Sequence, residues 1–154
     1  MKKYSGYKVR VQLIEEDRPQ NRHVIHGSKT AYYLVRNDVK LFDREKFLVI
    51  YLDRKNHVLG INETFQGSLS GSAIYSREIF KGAILSQSAA VIFIHNHPSG
   101  DPEPSLADRK LTLDLIKAGD LLNVKVLDHI IIGSRKYYSF ADEGLISQYY
   151  KEIK

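Results

Sequence analysis

His95 and His97 stand one residue apart, and Asp108 follows farther along a chain that contains no cysteine. Two imidazoles and a carboxylate form a nitrogen–nitrogen–oxygen donor set. Three protein ligands leave a tetrahedral ion one open position, the mark of a catalytic rather than a structural zinc site. The apolar run Ala89-Ala90-Val91-Ile92-Phe93-Ile94 comes just before them. Residues i and i+2 of an extended strand point to the same side, so both imidazoles can aim at one ion from the end of that strand. The spacing has a second reading. Ser105-Leu106-Ala107-Asp108 has the form of a capping box, an acid three residues after a serine, and Asp108 could merely favour a helix N-terminus electrostatically. A His-x-His pair also occurs in loops that hold no metal. From spacing alone the two readings stand side by side.

Several elements must position these residues. Tyr7 to Ile14 alternates loosely and reads as a strand, and Glu15 to Arg22, with Pro19, as a loop. Ser28-Lys29-Thr30 offers a helix N-cap continued by Ala31 to Val35. Phe47 to Leu52 is a continuous apolar run and reads as a central strand. Asp53 to Asn56 is a turn, and His57 to Phe65 the returning arm of a hairpin. Gly67 and Gly71 bracket a loop. Ser76 can cap a helix running to about Leu85, and Val91 to Ile94 is the next strand. Pro98, Pro102 and Pro104 forbid an immediate helix, so the next one starts at Ser105. In it Leu111, Leu115, Ala118 and Leu122 recur at helical spacing, with Gly119 near its end. Val124 to Ile132 and Lys136 to Phe140 read as strands, and Asp142 to Tyr150 as a closing helix. Hairpins mixed with helical crossovers predict an α/β chain of α+β type, with a mixed, mostly antiparallel sheet flanked by helices.

Length and composition bound the rest. One hundred and fifty-four residues suffice for one domain with a core, here a lead-in strand and loop over 1–27 packed on a domain over 28–154. No apolar run approaches the ~20 residues of a membrane helix, and no secretory h-region follows the basic N-terminus. The absence of cysteine excludes disulfides and thiolate sites and fits a reducing cytoplasm. A net charge of +5 would attract polyanions, but the basic residues are scattered among acids rather than gathered in the stripe of a nucleic-acid footprint.

The string His95-x-His97, seven residues, Ser105, two residues, Asp108 resembles the signature of the JAMM (MPN+ or JAB) zinc metalloproteases. The fuller segment His95-Asn96-His97-Pro98-Ser99-Gly100 through Asp108 is similar to the bacterial RadC branch. The likeness extends through Glu45 to Asp53, Phe65 to Leu69, Arg77 to Phe80 and Asp128 to Gly133. It implies the cytidine-deaminase-like JAB fold, zinc held by His95, His97 and Asp108, and a Ser105 hydroxyl that steadies the oxyanion. It also implies a glutamate at the start of the first core strand as general acid/base; Glu45 matches that place, with Glu63 in reserve. Longer RadC-like chains carry a helix-hairpin-helix region, for which the residues before Ser28 leave no room, so the chain reads as a short form.

The expected activity is zinc-dependent hydrolysis of a peptide or isopeptide bond in a peptide or protein substrate. The alternative is a DNA-repair-associated or mobile-element-associated binding module whose metal is structural or vestigial. Among the remaining histidines, His23, His26 and His57 read as solvated. His129, inside an apolar strand, reads as a hydrogen-bonded core residue or as a partner that orients a ligand.

Overall fold

Phe47 to Leu52 is buried at every position, and the fold is arranged to cover both faces of that strand. A computed structural model describes residues 11–14, 20–39, 43–67 and 74–154. Among them are α1 (Ser28–Val39), β1 (Glu45–Leu52), β2 (Val58–Gly67), α2 (Ser76–Leu85), β3 (Ala90–Asn96), α3 (Leu106–Leu121), β4 (Lys125–Ile132), β5 (Tyr137–Ser139) and α4 (Leu145–Glu152). The strands form one sheet in the order β2-β1-β3-β4-β5. Only β3 and β4, separated by the α3 crossover, run parallel; the other three pairings are antiparallel. This is the expected mixed, mostly antiparallel sheet.

Alternation sorts the core into two halves. Phe47, Val49, Tyr51, Val91 and Phe93 face α2, α3 and α4, which contribute Phe80, Leu115, Ile116 and Tyr149. Leu48, Ile50, Leu52, Ile92 and Ile94 face α1, which contributes Ala31, Val35 and Val39. The last three recur one turn apart and carry α1 well past the expected Val35.

Other expectations need correction at their edges. Ser28 does not cap α1. The Gly27 carbonyl accepts from the Thr30 and Ala31 N–H groups, while the Ser28 hydroxyl donates to Asp142 at 2.6 Å and so ties α1 to the far end of the chain. Ser76 is the first residue of α2, and Tyr75 precedes it without a side-chain cap. The closing helix begins at Leu145, after Gly144 in left-handed geometry (φ 76°). Val11 to Ile14 form no regular element and are exposed. The rest of the expected N-terminal strand, most of the loop after it, and the loop after Gly67 lie outside the described residues. Val24 makes a single bridge to His57 and Ile25 is buried, so the chain just before α1 is packed on the domain. His57 is half-buried and bonded to Asp53 rather than solvated; His23 and His26 are exposed.

Asp128 is a buried acid on β4 that sequence reading passed over. One oxygen accepts from the His129 and Ala141 N–H groups at 2.7 and 2.9 Å, and the other from the Ser139 hydroxyl at 2.6 Å. Together these bonds join β4, β5 and the turn into α4. Burial nevertheless pushes its pKa up to about 6. The folded state therefore holds the proton longer than the unfolded chain. Stability should fall as pH rises from about 4 to about 6, by on the order of 3 kcal/mol, and then level off. Asp128→Asn, which mimics the protonated acid, should remove that component. Urea unfolding at pH 4, 6 and 7.5 checks this: the stability difference between variant and wild type must grow in the variant's favour across the interval.

Candidate metal centre

His95 lies on β3 and His97 just beyond it, where the His97 N–H still bonds the Ile132 carbonyl at 2.9 Å. The extended course is thus kept for one more residue, and both imidazoles fall on the α3 side. The chain then turns through Gly100 (φ 87°). The loop rests on Gly133, where a Cβ would collide with the Gly100 carbonyl and come 2.8 Å from Pro102. This docking brings the Asp101 carbonyl 2.8 Å from His97 Nδ1. Ser105 then caps α3 in a complete capping box. Asp108 lies in the first turn, 97% buried.

The three side chains converge. His95 Nε2 is 3.0 Å from His97 Nε2 and 3.3 Å from Asp108 Oδ1, and His97 Nε2 is 3.4 Å from Asp108 Oδ2. Ligands about 2.0–2.1 Å from a tetrahedral ion stand ~3.3 Å apart, so the spacing suits zinc. The donor chemistry agrees. A carbonyl only accepts, so His97 Nδ1 carries a hydrogen toward Asp101 and Nε2 is left to bind. Asp108 Oδ2 accepts from both the N–H and the hydroxyl of Ser105, each at 2.7 Å, which leaves Oδ1 for an ion. The capping box and a donor set that could hold a metal therefore coexist in this segment.

The electrostatics fit a cation. Burial works against ionising Asp108, but the two imidazoles and Ser105 outweigh it and hold the carboxyl well below the usual range. The Asp108 carboxylate raises His97 above the ordinary histidine value. Burial pushes His95 down, and His129 farther.

Glu45 opens β1. The antiparallel register pairs Phe47 with His95, so Glu45, two residues earlier, is on the same face at the level of His97. It lines a cleft of about 270 Å³ with His97, Pro98, Ser99, Ser105, Ala107 and Asp108. Glu63 is elsewhere, on edge strand β2 in an ion pair with Lys46 at 2.9 Å, and does not line this cleft. Asn96, missed in the sequence, points away from the metal side. It accepts from the Lys46 N–H at 2.8 Å and donates to the Arg44 carbonyl at 3.0 Å, clamping the backbone on both sides of Glu45. A polar residue ending an otherwise apolar strand was the signal for it. Thr112 was also missed. It sits one helical turn after Asp108, fully buried, and bonds His129 at 2.7 Å.

The sequence model for the RadC-like JAB domain matches residues 25–145. Relatives carrying the name UPF0758 protein include one from Desulfitobacterium hafniense, 44% identical over 83% of this chain and 56% of its own length. One from Methanosarcina mazei is 44% identical over 79% of this chain and 53% of its own. One from Trichlorobacter lovleyi is 50% identical over 67% and 45%. The chain spans about half the length of the curated relatives it matches.

Zinc at a hundred times its dissociation constant should stabilise the protein by ~2.7 kcal/mol, read as a rise in unfolding midpoint. Asp108→Asn keeps an acceptor for the cap but removes the anionic ligand, and should abolish the rise. Gly133→Ala should shrink it by lifting the loop that orients His97. An equal rise in wild type and Asp108→Asn would place the metal elsewhere.

Proposed function

The chain belongs to the RadC-like JAB domain family, and from that premise we propose that it is a zinc-dependent hydrolase that cleaves an amide bond, peptide or isopeptide, in a peptide or protein substrate. The observation that carries this reading is the shared cleft: half-buried Glu45 lines the same space as His97, Asp108 and Ser105, with buried His95 completing the cluster behind them. A cluster alone would make a binding site. With a metal held by that cluster, a proton acceptor in the same cleft would make hydrolysis chemically accessible.

When bound, zinc supplies a Lewis acid and a water whose pKa falls toward ~7. The remaining work belongs to side chains. Glu45 takes the proton of the attacking water and later delivers it to the departing amine. Ser105 turns its hydroxyl from Asp108 Oδ2 to the substrate oxygen as negative charge develops there. Asp108 keeps the Ser105 backbone N–H through that turn, so the helix start is preserved. Asn96 holds the Glu45 backbone still while the proton moves. Among the described residues no helix is long and apolar enough to cross a membrane. The proposal takes the substrate from the aqueous phase, and a cysteine-free chain suits a cytoplasmic setting.

Peptide mixtures incubated with the zinc-loaded protein, with new amino termini read by mass spectrometry, test the proposal. Glu45→Gln should bind zinc as wild type does and lose about 10²–10⁴-fold in rate. Ser105→Ala should lose about 10²–10³-fold. Zinc-loaded wild type that releases no new termini, or Glu45→Gln that cleaves as well as wild type, would overturn it.

A further inference from the structure

His129 is fully buried and has no part in the proposed reaction. Its ring lies among Phe47, Phe93 and Phe140, with centroids 5.5, 6.1 and 5.1 Å away. That setting would suit another phenyl ring, yet the position holds an imidazole with both nitrogens engaged.

A break in register puts it there. Val91 pairs with Val126, but Ile92 pairs with Asp128, so β4 carries one extra residue between them. A one-residue slip moves every later side chain to the opposite face. With regular pairing His129 would stand beside Ile94, which faces α1. With the bulge it stands beside Phe93, on the face that carries His95. Its Nε2 is then 2.8 Å from His95 Nδ1, and its Nδ1 is 2.7 Å from the Thr112 hydroxyl.

The hydrogens along this chain are set from its far end. Thr112 donates its single hydroxyl hydrogen to the Asp108 carbonyl at 2.7 Å, so toward His129 it accepts. His129 Nδ1 therefore carries a hydrogen and Nε2 a lone pair. That lone pair takes the Nδ1 hydrogen of His95, which leaves His95 Nε2 bare toward His97 and Asp108.

We propose that His129, itself oriented by Thr112, is the positioning residue that holds His95 in the tautomer whose Nε2 can bind the metal. The proposal rests on the metal-centre reading. It links the ligand from β3 to the ligand from α3 through hydrogen bonds that end on the backbone of Asp108. A neutral imidazole performs the task without adding charge. A carboxylate in its place would put a second anion into a phenyl-lined core, where an unpaired charge is costly.

The phenyl surroundings supply a clean test, because His129→Phe removes the acceptor and suits the packing. Zinc affinity is measured by competition with a chromophoric chelator. Thermal unfolding of the metal-free proteins and long-range ¹H–¹⁵N NMR of the His95 ring accompany it. His129→Phe should still unfold cooperatively without zinc, the phenyl packing offsetting part of the lost hydrogen bond, yet bind zinc 10–100-fold more weakly. His129→Gln, whose side-chain oxygen can accept from His95, should recover most of the loss. Thr112→Val should lose affinity in the same direction. Metal-free wild type should carry the His95 hydrogen on Nδ1. Wild type that binds zinc with His129→Phe binding equally well would overturn the inference and leave the metal centre standing. A wild type that fails to bind zinc would overturn the metal centre and this inference with it. A wild-type His95 hydrogen on Nε2 would overturn the inference whatever the zinc result. If His129→Phe fails to fold, Thr112→Val and the wild-type tautomer decide.

Discussion

Side-chain alternation along the central strands is the constraint on which the rest of the structure depends. Because β1 and β3 are antiparallel with Phe47 opposite His95, one face of two adjacent strands carries Glu45, Phe47, Phe93, His95 and then His97. A slip of one residue would send the carboxylate and the imidazoles to opposite sides of the sheet. The apolar pairs farther along, Val49 with Phe93 and Tyr51 with Val91, are the energetic reason the slip does not occur. The hydrophobic core thus sets the position of the polar groups at the strand ends. The capping box does the same for α3, since it fixes where the helix begins and therefore where Asp108 points.

The centre is also a concentration of acceptors. With His97 Nδ1 committed to Asp101, His95 Nε2 stands 3.0 Å from His97 Nε2 and 3.3 Å from Asp108 Oδ1, and His97 Nε2 stands 3.4 Å from Asp108 Oδ2. Such a cluster is unfavourable unless something positive lies between its members. A proton on His97, held there by Asp108, meets the need in part. A dication meets it fully and satisfies all three at once. The folded protein carries this electrostatic demand near its sheet end, which is how binding energy becomes folding energy in metal sites.

Much of this was legible in the sequence, and the boundary of legibility has physical causes. Strands rich in branched residues and the Ser105–Asp108 box announce themselves locally, so the sheet elements and the start of α3 were readable. The alternation of His95 and His97 was readable for the same reason. Three-dimensional pairing was not. Glu45 could be matched by resemblance, but its placement opposite His97 depends on strand register. Asn96 and Thr112 look like ordinary polar residues until their partners, fifty residues away on β1 and seventeen away on β4, are known. The β4 bulge could not be read from Val124 to Ile132, because the slip after Val126 shows only against the pairing with β3. Ser28 misled because a serine before a helix has two uses, and the tertiary contact with Asp142 took precedence over the local cap.

Asp108 shows how one residue can serve fold and chemistry without compromise between them. Its two carboxylate oxygens are divided. Oδ2 receives the Ser105 N–H and hydroxyl and lies 3.4 Å from His97 Nε2, while Oδ1 faces His95. Its backbone carbonyl takes the Thr112 hydroxyl one turn on. A shift of α3 by a fraction of a turn would disturb all three contacts together. The helix start, the Asp108 carboxylate of the candidate centre and the hydrogen-bonded path to His129 therefore move as one body. A rigid ligand set of this kind needs little reorganisation to accept an ion, and the first turn of α3 is the element that makes it rigid.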